Sequence, residues 1–342
     1  MSRRPPSESS ERPGRSPIGP LGAILVLTCM VATVACGNRL PSGFSSASPG
    51  AASVGIATTE PSPDGSTDVQ PGDLDGLVVL TGGALSIGSP AGALIAFHGP
   101  AVESFSATRG RLIVETAGPS FSIADVDQSG ASPPAWRIVD LPALEGRRLL
   151  SAPILSARGD RIAVETGAAG PAIGFDALVI DVAGGVPTVV SIGRDANGPP
   201  VWIDDSSLLL EVLPTPGGTR FLRLDLETGQ LAPIAADGFG PAISGDGSVL
   251  AIASADGSVV AVAAAGWLAG NPPDEGTLVD ASGSVFELAA DAAGRRVAIG
   301  YADDAGDPAS IAVFVREAGA WRRHLVPVHV VSAGPTMLGW LN

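Results

Sequence analysis

The side chains best suited to chemistry in this sequence are two cysteines, three histidines and a few clustered aspartates. His98, His324 and His329 form no H-x-x-x-H or H-x-x-E-H pair, and neither Cys29 nor Cys36 stands near them to complete a zinc set. No Gly-x-Ser-x-Gly elbow accompanies them, so they read as packed or exposed histidines and not as a metal centre or a triad. Asp125-Val-Asp127-Gln-Ser129-Gly130 imitates the first half of a calcium loop, but Trp136 stands where the twelfth position needs a bidentate Glu. Asp204-Asp205 and Asp303-Asp304 are paired acids at expected turns, where Asp ordinarily accepts local amide hydrogen bonds. General acid–base work by either pair is the competing reading. Arg147-Arg148, Arg295-Arg296 and Arg322-Arg323 read as solvated pairs. No metal or cofactor is expected.

Cys36 is the exception. Arg3, Arg4, Arg12 and Arg15 precede Leu21–Ala35, an apolar run of 15 residues. That run is short for a bilayer span and suits the h-region of a secretory signal. Thr33-Val34-Ala35-Cys36 follows, and it resembles the lipobox of bacterial lipoproteins, with Thr33 departing from the usual Leu. The resemblance implies that Cys36 receives a diacylglyceryl group and becomes the mature N-terminus, giving a membrane partner on the extracytoplasmic face. One acyl chain binds membranes only marginally, whereas several make a lasting anchor. Cys29 would leave with the signal, so the mature chain forms no disulfide.

The remaining sequence has to fold by packing alone. The chain has 342 residues, 45% apolar and 16% charged, so a sizeable core is possible under a sparsely charged surface. Aromatics are only 4%, which leaves Val, Leu, Ile and Ala to build that core. With 45 Gly and 30 Pro, the chain is cut into short elements. Once residues 1–35 are gone, 16 Arg face 33 acidic residues, and such a field repels nucleic acid.

Gly37 to Asp73 is dominated by Ser, Gly, Pro, Ala and Thr without hydrophobic periodicity, the composition of a disordered tether. Roughly 37 such residues have a mean reach of about 30–37 Å. The expected organisation is thus a signal over 1–35, a lipidated tether over 36–74 and one domain over 75–342. Short runs rich in β-branched residues fill that domain, among them 111–116, 161–166, 177–182, 249–254 and 310–315, each closed by Gly, Pro, Asp or Asn.

A turn-then-strand unit recurs at Ser106–Ile113, Ser156–Ile162, Ile203–Leu209, Ser244–Leu250 and Asp291–Val297. Its strand residues are spaced 49, 47, 41 and 47 apart, the period of a four-stranded propeller blade. Together with Ser89-Pro-Ala-Gly-Ala-Leu-Ile-Ala-Phe97, these units resemble the blades of WD-repeat and TolB-type β-propellers. The expected fold is an all-β, six-bladed propeller, with five or seven blades as alternatives. Gly334-Pro-Thr-Met-Leu-Gly-Trp340 matches Gly198-Pro-Pro-Val-Trp202, so the last strand is expected to complete a blade begun by the first three. Closure of that kind removes free sheet edges.

The resemblance implies binding across a ring face or at a central channel, by a module that meets a protein or envelope partner. A hydrolase or lyase at the channel mouth is the alternative. Trp267, in the irregular stretch Ala263–Asp274, is the one aromatic expected on an exposed loop, and so a candidate for binding.

Overall fold

The computed structural model describes residues 69–342 apart from 98–100, 117–119, 128–133, 140–143, 145–146, 168–173, 215–217, 272–276, 280–282, 304–308 and 331–335. Cys36, the expected signal and nearly all of the expected tether therefore lie outside the described residues, as do His98, Ser129 and Asp304.

The blades follow from alternating buried runs cut by turns. β1 (Leu77–Thr81), β2 (Ala84–Gly88) and β3 (Leu94–Phe97) come first. β4 (Ser104–Thr108), β5 (Arg111–Thr116), β6 (Ser120–Asp125) and β7 (Arg137–Val139) form the second blade. β8 (Ile154–Leu155), β9 (Arg161–Gly167), β10 (Phe175–Asp181) and β11 (Thr188–Ile192) form the third. β12 (Val201–Asp204), β13 (Ser207–Glu211), β14 (Phe221–Asp225) and β15 (Leu231–Ile234) form the fourth. β16 (Phe239–Ile243), β17 (Val249–Ala253), β18 (Val259–Ala263) and β19 (Thr277–Val279) form the fifth. β20 (Gly283–Ala290), β21 (Arg296–Asp303), β22 (Ala309–Glu317) and β23 (Ala320–Val330) form the sixth. β24 (Thr336–Trp340) returns to pair antiparallel with β1, completing a sheet of order β24-β1-β2-β3. Six blades of four strands stand as expected, and Leu94–Phe97 is the fourth strand of its blade.

The first strand of each blade is innermost. β24 meets β4, β4 meets β8, β12 meets β16, β16 meets β20 and β20 meets β24. The remaining joint is made by the Trp202 indole N–H, which donates to the Ile154 carbonyl at 3.0 Å. Second strands are apolar on both sides because each is sandwiched between neighbouring blades. Leu112 and Val114 pack toward blade 1, while Ile113 packs with Ile162 and Val164 of blade 3.

The recurring turn has a local cause. Gly159, Gly247 and Gly294 adopt φ of 71°, 71° and 63° and donate back to the carbonyls of Ser156, Ser244 and Asp291. The side-chain oxygens of those three residues then accept the N–H of Arg161, Val249 and Arg296, the first residue of the strand that follows each turn. A Ser or Asp five residues ahead of the first residue of a strand therefore sets both the turn and the register.

The closing joint repeats an internal one. The Trp340 indole donates to Ala289 O at 3.2 Å as Trp202 does to Ile154 O, and Arg296 covers Trp340 as Arg161 covers Trp202. Blade 4 joins its first two strands through a covalent turn. Blade 1 has two chain segments there, so hydrogen bonds replace the turn. Arg296 reaches Asp75 O at 2.7 Å, Asn342 Oδ1 at 2.7 Å and Asp291 Oδ2 at 3.0 Å, while Asn342 Nδ2 donates to Asp75 O and Leu341 N to Gly76 O.

Candidate functional site

Among the described residues, those singled out in the sequence do not converge. His324 sits on the outermost strand β23, 4% exposed, with Nδ1 3.3 Å from Asp73 Oδ2. That pairing tacks the segment before β1 onto blade 6, away from the inner strands. His329 contributes backbone to β23. Asp125 is held by Arg111 Nε at 2.8 Å. Asp204 accepts the N–H and hydroxyl of Ser206, and Asp205 pairs with Arg158 at 2.7 Å. Burial is the largest single influence and would raise the Asp204 carboxyl, but the hydrogen bonds from Ser206 and Ser207 and the charge of Arg223 together outweigh it and hold the group below its usual range. Both acids of this pair are committed to turn structure. Asp303, expected in a turn, instead ends β21. Among the described residues no group of three or more His, Cys, Asp or Glu is placed to hold a metal ion.

Two expectations need correcting. Trp267 lies in a short helix, α1 (Ala264–Leu268), and is 2% exposed, packed edge-on against Phe221 at 5.0 Å between ring centres. The ring is a core residue because the helical turn rotates it inward over blade 4, so it offers no exposed binding face. The arginine pairs are also not uniformly solvated. Arg147 turns inward to pair with buried Asp176, and Arg296 lies in the closing joint described above.

A different set of acids carries the unusual physics. The second strand of each blade ends on the rim where the chain enters that blade. In blades 2, 3 and 4 that end is Glu115, Glu165 and Glu211, whose backbone carbonyls accept the N–H of Glu103, Leu150 and Asn197 respectively. The other three blades place Leu80, Ala253 and Gly300 there. Three blades thus manage with an apolar residue or none, while three consecutive blades put a carboxyl there. Taking a carboxyl out of water opposes folding unless donors compensate it, and the apolar residues of the other three blades show that the fold does not require an acid here.

Their environments differ sharply. Glu115 accepts the Ser104 hydroxyl at 2.6 Å; burial raises its pKa, the Ser104 bond works against that, and neighbouring Glu103 adds to it. Glu211, 3% exposed, accepts Asn197 Nδ2 at 2.6 Å and Gly240 N–H at 3.0 Å, with Arg220 at 3.4 Å. Glu165 is fully buried, and neither of its carboxyl oxygens has a hydrogen-bond partner. Burial, and then the charge of Glu211, push its pKa well above the usual carboxylate value.

The sequence explains the difference position by position. Where blade 4 has Asn197, blade 3 has Leu150, which has no side-chain donor. Where blade 4 has Arg220 beside the strand end, the same register in blade 3 holds Asp176. Blade 5 offers the Gly240 N–H to Glu211, whereas the matching stretch of blade 4 is Gly198-Pro199-Pro200, and the two prolines have no N–H to offer Glu165. Alternation places Glu165 on the same side of β9 as Ala163, which packs against Leu208 and Leu210 of blade 4. Glu165 therefore lies in the joint between blades 3 and 4. A further raised acid, Glu287 on the inner strand β20, accepts the Leu338 N–H from β24 and is pushed by burial up to about 8.

Composition and motif searching passed over these glutamates, since each alone looks like an ordinary strand residue. The available signal was the recurrence of Val-Glu-Thr at 114–116 and 164–166, at the blade period.

The fold has known counterparts. TolB from Acinetobacter baumannii superposes with a TM-score of 0.56 at 16% identity, covering 79% of this chain and 68% of that one. A TolB assigned as such in Agrobacterium tumefaciens gives 0.51 at 12% identity, over 73% and 87% of the two chains. At these identities the likeness shows the TolB-type propeller fold. No family model matches the sequence, and no curated protein matches it.

Proposed function

We propose that this chain is a lipid-anchored, extracytoplasmic binding or scaffolding module of the cell envelope, whose working face is the rim carrying Glu115, Glu165 and Glu211. The observation that carries the reading is the retention of carboxyls at one position of three consecutive blades, Glu165 and Glu211 buried and Glu115 half-buried, when Leu80, Ala253 and Gly300 serve the fold elsewhere. Costly polar residues that a fold does not require mark a site under functional selection. The TolB-type fold supports a protein partner, because a closed ring offers its rims and channel as rigid surfaces. The anchor rests on the Arg-rich start, the apolar run and Thr33-Val34-Ala35-Cys36.

Two experiments test the reading. Cys36→Ser is expected to move the protein from membranes to the soluble fraction, and unchanged membrane association would remove the anchor. A photo-crosslinking residue at Leu213, exposed beside Glu211, is expected to capture a membrane-associated partner, while one at Val186 on the opposite rim is not. Equal labelling from both positions, or none from Leu213, would remove the assigned face.

A further inference from the structure

The joint between blades 3 and 4 is held unequally at its two rims. On the rim opposite Glu165, Arg161 lies over the Trp202 ring at 5.0 Å and donates to the Asp205 carbonyl, and the Trp202 indole is bound to Ile154 O. On the Glu165 rim the second-strand carboxyl has no donor from either blade. A carboxyl in that position packs as the neutral acid and repels its surroundings as the anion.

We propose that Glu165 is a proton-operated latch: protonated, it closes the rim of the blade 3–blade 4 joint; ionised, it loosens that rim about the fixed Arg161–Trp202 hinge. The groups around it favour this assignment. Its own blade brings Asp176, neutralised by Arg147 and by the Ser191 hydroxyl, and the exposed Arg148. Blade 4 brings Glu211, which accepts hydrogen bonds from Asn197, Gly240 N–H and Arg220, together with Asp195 and with Arg194, whose guanidinium donates to the carbonyls of Leu213 and Thr219. None of these cations donates to Glu165, and the charge of Glu211 acts on it as a second anion. The raised pKa of this carboxyl agrees with the geometry. The latch regulates the same face assigned above, but its own behaviour needs no partner.

Hydrogen exchange on the full chain, as protection factors corrected for intrinsic rates, tests it between pH 5.5 and 9.5. The wild type is expected to lose about ten-fold or more protection in 161–167 and 197–212 as pH rises, with 249–263 of blade 5 as the unchanged reference. Glu165→Gln, an isostere of the neutral acid, is expected to abolish that loss. Leu150→Asn, which supplies the donor blade 4 has, is expected to suppress it by holding the anion. Equal protection in wild type and Glu165→Gln across the range overturns the latch, as does a loss of equal size in blade 5. Because no partner is present, failure here leaves the crosslinking result untouched, and the reverse also holds.

Discussion

Glu165 and Glu211 stand at one position of adjacent blades, and their surroundings are nearly opposite. Glu211 has an amide, a backbone N–H and a guanidinium; Glu165 has a leucine, prolines and a paired aspartate where those donors would be. Magnitudes decide what each becomes. Keeping a proton on a glutamate of ordinary value 4.5 at pH 7 costs about 3.4 kcal/mol, at about 1.36 kcal/mol per pH unit. Burying a bare carboxylate costs several kcal/mol and climbs further beside a second anion. For Glu165 the neutral acid is therefore the cheaper state. Glu211 has three donors around its carboxyl where Glu165 has none. Glutamates at one position of adjacent blades can thus have opposite surroundings, set by the residues that their own and the neighbouring blade bring to them.

Making blade 4 imitate blade 3 gives the largest expected effect. Asn197→Leu with Arg220→Met strips Glu211 of two donors and is expected to cost about 3–5 kcal/mol in denaturant unfolding at pH 7. Asn197→Leu alone leaves the Gly240 N–H and Arg220, so about 1–3 kcal/mol is expected from the same measurement. Ser104→Ala removes the hydroxyl that donates to Glu115 and should cost about 1 kcal/mol, with the Glu115 carboxyl moving further up on titration. Leu150→Asn is the smallest, a gain of up to about 1 kcal/mol at pH 8 as Glu165 acquires a donor. A loss there instead would mean that the amide cannot reach the carboxyl.

The pH dependence has a definite sign. The folded Glu165 carboxyl is raised above 4.5, so the folded state holds a proton that the unfolded chain releases. Its contribution is fully present below pH 4.5 and is lost as pH climbs through the raised folded value. Glu287 adds the same trend between 4.5 and about 8, so only the difference between wild type and a Glu165 variant isolates the latch.

The architecture was legible in the sequence because its causes are local. Ser156, Ser244 and Asp291 announce their turns through side chains that bond five residues on, and Gly159, Gly247 and Gly294 take the left-handed φ that each turn requires. The closing strand was legible because Trp340 repeats the setting of Trp202. Trp267 misled because a single helical turn in an Ala- and Gly-rich stretch is too short to show a helical period, and that turn rotates the ring inward. The acidic rim was not legible. Its meaning depends on which residues face Glu165 from β10 and from the next blade, and that register appears only once the ring is closed.

Substituting leucine, the residue blade 1 already carries at this place, at each of the two positions tests the account most directly. In chemical denaturation at pH 7, Glu211→Leu is expected to destabilise by about 3 kcal/mol or more, since Asn197, Gly240 and Arg220 lose their shared acceptor. Glu165→Leu is expected to stabilise, or at worst leave stability unchanged, because it removes a buried acid with no donor. Equal losses from both substitutions would contradict the asymmetry between the two blades.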